Sequence, residues 1–72
     1  MTDEAKKQVL EHFKTQVHTA ILLSIIKNIG EAYTFACAYS CGLIKFYNLD
    51  VETMQAIYDL ARDEFKTLKA GD

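Results

Sequence analysis

Cys37 and Cys41 stand four residues apart, and at that spacing two thiols share one turn of a helix. Such a pair is half of a metal site or half of a redox couple. A structural zinc site needs four ligands. The only other soft donors are His12 and His18, six residues apart on different faces of one helix. A disulfide between positions one turn apart in a regular helix has poor geometry. The two cysteines are therefore expected as small buried hydrophobes, the usual state of a free thiol, and no metal and no cofactor are expected.

General acid–base chemistry needs a base held by an orienting partner. His12 sits among Glu11, Lys14 and Gln16, and His18 beside Val17, without a carboxylate on its own helix face. Glu11 and Glu31 are isolated acids. There is no glycine-rich phosphate loop and no nucleophile motif, so no catalytic residue is assigned and the chain is read as non-enzymatic. Tyr33, Tyr39 and Tyr47 each carry a hydroxyl that needs a partner if buried, at a wet interface rim or in a polar pocket.

Helices must position these side chains. The sequence has no proline and three glycines, too few turn residues for a β-sandwich or barrel. The first helix starts at Thr2, whose hydroxyl can cap it, with Asp3 and Glu4 favoured by the helix dipole. Val9, Leu10, Phe13, Val17, Ala20 and Ile21 recur at the spacing of one helical face. Beyond Ala20 the pattern turns many-sided: Leu22, Leu23, Ile25, Ile26 and Ile29 point in nearly every direction. Asn28 and Gly30 tolerate the left-handed conformation that closes helices, so the first helix is expected over about 3–28. At 1.5 Å per residue it would be ~39 Å long and overhang its partners.

The second helix is expected over about 31–47. Asn48 closes it, Asp50 caps the third, and Leu49 with Met54 forms a hydrophobic staple. The third helix, about 51–68, carries Met54, Ile57, Tyr58, Ala61, Phe65 and Leu68 as one stripe. Asp59 with Arg62, and Asp63 with Lys66, are spaced to pair on its outer side.

The middle helix carries five of the chain's eight aromatics, and that concentration sets the functional reading. At ~100° per residue its apolar side chains fill an arc of roughly 200°, about twice what an ordinary surface helix hides. A strip of Thr34, Ala38, Cys41 and Lys45 is left for solvent. Ala32, Ala36 and Ser40 repeat every fourth residue and permit close helix approach. Two other helices cover only part of such an arc, and a second copy of the chain is the simplest cover. Leu22, Ile26, Ile29, Phe35, Tyr39, Leu43, Phe46 and Tyr47 are the interface candidates.

Charge narrows the partners. The net charge is −2. Residues 1–30 hold four lysines against three acids, and residues 46–72 hold six acids against Arg62, Lys66 and Lys69. No basic stripe exists for a phosphate backbone, and a base-reading helix wants Arg, Lys, Asn or Gln at exposed positions; no nucleic acid is expected. The start, MTDEAKKQ, is no secretory signal, and the Ala20–Ile26 run is too short to span a bilayer. The expectation is a cytoplasmic, all-α, single domain over residues 1–72, three helices assembling as a helical homodimer. Its expected function is a protein–protein interaction module or small regulator or inhibitor with an unknown protein partner, a type common among phage and mobile elements. Two alternatives stand beside it: a helical small-molecule carrier or sensor, and a DNA-associated regulator.

Overall fold

The computed structural model describes residues 2–45 and 49–69. They form three helices, α1 (Asp3–Leu22), α2 (Ile29–Ile44) and α3 (Val51–Lys69), with no strand among them.

Helix α1 begins as its sequence dictates: Thr2 Oγ1 accepts the Ala5 N–H at 3.1 Å. Its end differs from expectation. The helix stops at Leu22, six residues short, and its 20 residues are no overhang beside the 19 of α3. Ser24 takes the left-handed conformation, φ 61°. Its N–H donates to the Ile21 carbonyl at 3.1 Å, and the Ile25 N–H to the Ala20 carbonyl at 2.9 Å. These two bonds make a Schellman motif, which satisfies carbonyls the last turn would leave open. The reversal folds Ile26 back into the core, where it is 1% exposed, and leaves Leu22, Leu23 and Ile25 outside.

Asn28 therefore opens α2 instead of closing α1. Its side chain accepts the Glu31 N–H at 2.9 Å, and the Glu31 carboxylate accepts the Lys27 N–H at 2.6 Å. The pair works as a reciprocal cap, which gives Glu31 a structural task. Gly30 fits the tight first turn, since a Cβ there would lie 3.2 Å from Asn28 Oδ1.

Asp50 caps α3 as expected, accepting the Thr53 N–H at 2.7 Å, and Lys6 of α1 lies 3.8 Å from its carboxylate. Leu49 is half-buried against the core; Asn48 lies outside the described residues. The Thr53 hydroxyl and N–H beside Asp50, and then Lys6, hold its carboxyl below the usual carboxylate range. The hydroxyl nevertheless falls short of hydrogen-bond geometry, so the N–H bond is the firm contact. A carboxyl lowered in the folded state stabilises the fold above its unfolded pKa and loses that contribution as pH falls through the folded value. Asp50→Asn keeps a good cap and removes the titration. Thermal melts followed by circular dichroism should show wild type losing more stability than Asp50→Asn as pH drops below about 4. Equal losses would show that the cap charge contributes nothing.

Packing follows side-chain size. Helix α3 lies close to both other helices, whereas α1 and α2 are spaced apart. Between α2 and α3 the buried residues are Ala32, Ala36 and Ser40 on one side and Thr53, Ile57 and Ala61 on the other. Between α1 and α2 the spacers are rings: Phe13 lies 4.8 Å from Tyr39 and 5.8 Å from Phe35, centroid to centroid. The stripe on α3 is rotated from the expected one. Thr53 joins Ile57 and Ala61 in its buried line, while Met54, Tyr58, Phe65 and Leu68 are half-buried. Arg62 pairs with Asp59 at 3.5 Å as expected, but Asp63 pairs with Arg62 at 3.1 Å.

Candidate functional site

The backbone extents are 37 × 19 × 17 Å, so the bundle is about two helix diameters across. Each helix has two neighbours and one open side. What each open side carries decides what the chain can do.

On α2 the open side is defined by rotation about its axis. Tyr33, Ile44, Cys37 and Cys41 fall within about 80° of one another at ~100° per residue. All four are exposed. Thr34, Ala38, Gly42 and Lys45 continue this face and are also exposed. The strip expected to meet water is thus real, but wider than expected. The cysteines are the main correction: Cys41 stands in the strip left for solvent, Cys37 stands beside it, and neither is a buried hydrophobe. Burial on α2 is centred on Ala32, Ala36 and Ser40, and both thiols lie beyond the edge that α3 covers. Beside them stands Tyr58 of α3, whose ring lies 6.3 Å from that of Tyr33. The neighbouring Cys37 thiol holds the Cys41 thiol above its ordinary value, and Cys37 likewise raises the Tyr58 hydroxyl.

The interface candidates divide. Leu22 and Ile29 are exposed, at 62% and 36%. Ile26 is buried in the core of the single chain and is unavailable to a partner. Phe35, Tyr39 and Leu43 are half-buried against the chain's own core, so α1 covers much of the aromatic arc once assigned to a second copy. Phe46 and Tyr47 lie outside the described residues. Leu23 and Ile25, 66% and 62% exposed, join Leu22 to make an apolar tip at the α1–α2 turn. Sequence reading placed them inside a helix and so missed that they share a turn.

Two polar clusters join helices far apart in sequence. His12 Nδ1 and the Tyr39 hydroxyl are 2.8 Å apart, and the Gln16 amide nitrogen lies 3.4 Å from His12 Nε2. His12 and Tyr39 border a hollow of about 390 Å³ lined also by Ala5, Gln8, Val9 and Leu43. On the other side of α1, Glu64 of α3 accepts from His18 Nδ1 at 3.0 Å and lies 3.8 Å from Lys14 Nζ. Its side chain is only 14% exposed. His18 thus has the orienting carboxylate that its own helix lacks. No nucleophile is hydrogen-bonded to it among the described residues, and the cluster bridges α1 to α3.

Among the described residues no group of three or more His, Cys, Asp or Glu is placed to hold a metal ion. No described helix is long and apolar enough to cross a membrane. Within α2 no Lys, Arg, Asn or Gln occurs, and its caps add only Asn28 and Lys45, a poor set for reading base edges. No family model, curated protein or solved structure matches the chain.

Proposed function

We propose that the chain is a non-enzymatic interaction module that works as a helical homodimer. It pairs through the open face of α2 and presents the apolar tip at the α1–α2 turn to a protein partner. The observation that carries this reading is the apolar surface that the chain's own core does not use. Leu22, Leu23 and Ile25 are all more than 60% exposed and adjacent, and Tyr33 and Ile44 are exposed at 38% and 51% along one side of α2. Soluble monomers rarely leave contiguous apolar patches open without a use, and two-fold pairing is the commonest closed assembly.

Size-exclusion chromatography with light scattering tests the pairing. Wild type should run as a dimer at tens of micromolar, and Ile44→Asp as a helical monomer. A wild-type monomer at that concentration overturns the pairing. The tip is tested separately by Leu23→Glu with Ile25→Glu, which should keep the dimer and abolish capture of a partner that wild type retains.

A second reading, a small-molecule carrier, rests on the hollow beside His12 and Tyr39. Its volume is in the range of ligand sites, and it sets hydrogen-bonding groups against an apolar floor. Native mass spectrometry showing a co-purifying ligand, lost in Tyr39→Phe, would favour it over the first.

A further inference from the structure

Cys37 and Cys41 place two exposed thiols one helical turn apart on the open face of α2. Zinc in a structural site takes four ligands in a tetrahedron. One chain offers two here, and among the described residues no third donor is placed with them. We infer that Cys37 and Cys41 are half of a zinc site, completed by the same two thiols of a second copy across a two-fold axis. The inference rests on the homodimer reading and deepens it, because the site is incomplete without the second chain.

Two features of α2 fit this arrangement. The first is room. Zinc–sulfur bonds are about 2.3 Å long, so the two backbones must come close. On one side of the thiols stand Thr34, Ala38 and Gly42, all small and exposed, and on the other Tyr33 and Ile44, so the second helix has its room on the Thr34–Ala38 side. A Cβ added at Gly42 would meet nothing within 4 Å. The second is charge. Between Glu31 and Lys45 this helix carries no charged residue. An antiparallel pairing centred between the thiols sets Cys37 of one chain against Cys41 of the other. It also brings the Glu31 end of each helix toward the Lys45 end of its mate. A parallel pairing would set like charges together.

Binding involves no oxidation. Each of four thiols gives its proton to solvent as its sulfur bonds the ion, so affinity rises with pH. An internal disulfide does not compete. Cβ atoms one turn apart on a helix are about 5–6 Å from each other, beyond the usual 3.5–4.5 Å of a disulfide.

The full chain, loaded with zinc sulfate and desalted, is measured by elemental analysis and by light scattering, with and without a chelator. One zinc ion per two chains and a dimer that the chelator converts to monomer are expected. Cobalt(II) in place of zinc should give the visible bands and thiolate charge-transfer absorption of a tetrahedral sulfur set. Cys37→Ser and Cys41→Ser, both at exposed positions, should keep the helical circular dichroism and lose metal and dimer together. A dimer that contains no metal and ignores both the chelator and the serine variants overturns the zinc site and leaves the homodimer standing. A monomer at every zinc concentration overturns both, and metal bound to a monomer overturns the two-fold completion.

Discussion

Phe13→Ala should remove a large share of the chain's stability. Phe13 is fully buried, and its ring meets both Tyr39 and Phe35 of α2. Truncating a buried Phe to Ala costs about 3–5 kcal/mol, from lost transfer energy and the cavity left behind. Domains hold about 0.05–0.15 kcal/mol of stability per residue, and a chain of 72 residues has little to spare. The position adds to the loss. Helices α1 and α2 are kept apart by these rings, so removing the central one takes away the main contact between them. Urea unfolding followed by circular dichroism measures the effect, with Phe13→Leu as the companion that keeps most of the volume and a cooperative transition. A Phe13→Ala midpoint near that of wild type would show that the helices close over the gap.

The outcome of sequence reading depended on whether a feature was local. Thr2 and Asp50 cap their helices through residues three positions away, and both were legible from side-chain type alone. The every-fourth repeat of Ala32, Ala36 and Ser40 was legible as a close-packing seam, because periodicity fixes a face. The end of α1 was not. Ser24 takes the left-handed conformation without the Gly or Asn that announces it, inside an apolar run that reads as uninterrupted helix. The polar clusters were hidden for another reason. His12 meets Tyr39 across 27 positions of sequence and His18 meets Glu64 across 46. Pairs at that separation depend on the register between helices, which no single-helix pattern contains. The cysteines show how residue type can mislead. Free thiols are buried on average, but exposure on α2 is set by how many neighbours a three-helix chain can supply. Two neighbours leave one side open, and both thiols fall on it.

Ala36 and Ala38 are two residues apart on one helix, and enlarging them should have opposite effects. Ala36 is fully buried where α2 meets α3. Leu at this position inserts three heavy atoms into a seam built from Ala, Ser, Thr and one Ile. Overpacking of this kind costs about 1–3 kcal/mol, and here it forces apart the two helices that lie closest. Ala36→Leu should therefore lower the melting temperature sharply, or prevent folding altogether. Ala38 is exposed, and Leu is nearly as good a helix former as Ala. Ala38→Leu should leave the stability of the single chain within about 0.5 kcal/mol of wild type. Its effect should emerge in association instead, because a larger side chain beside the thiols holds a second α2 away. Thermal melts at low concentration report the first effect, and light scattering at tens of micromolar the second. Equal stability for Ala36→Leu and wild type would show that the α2–α3 seam is loose. Strong destabilisation by Ala38→Leu at low concentration would show that the outer face of α2 is covered within one chain, which would remove the surface on which pairing depends.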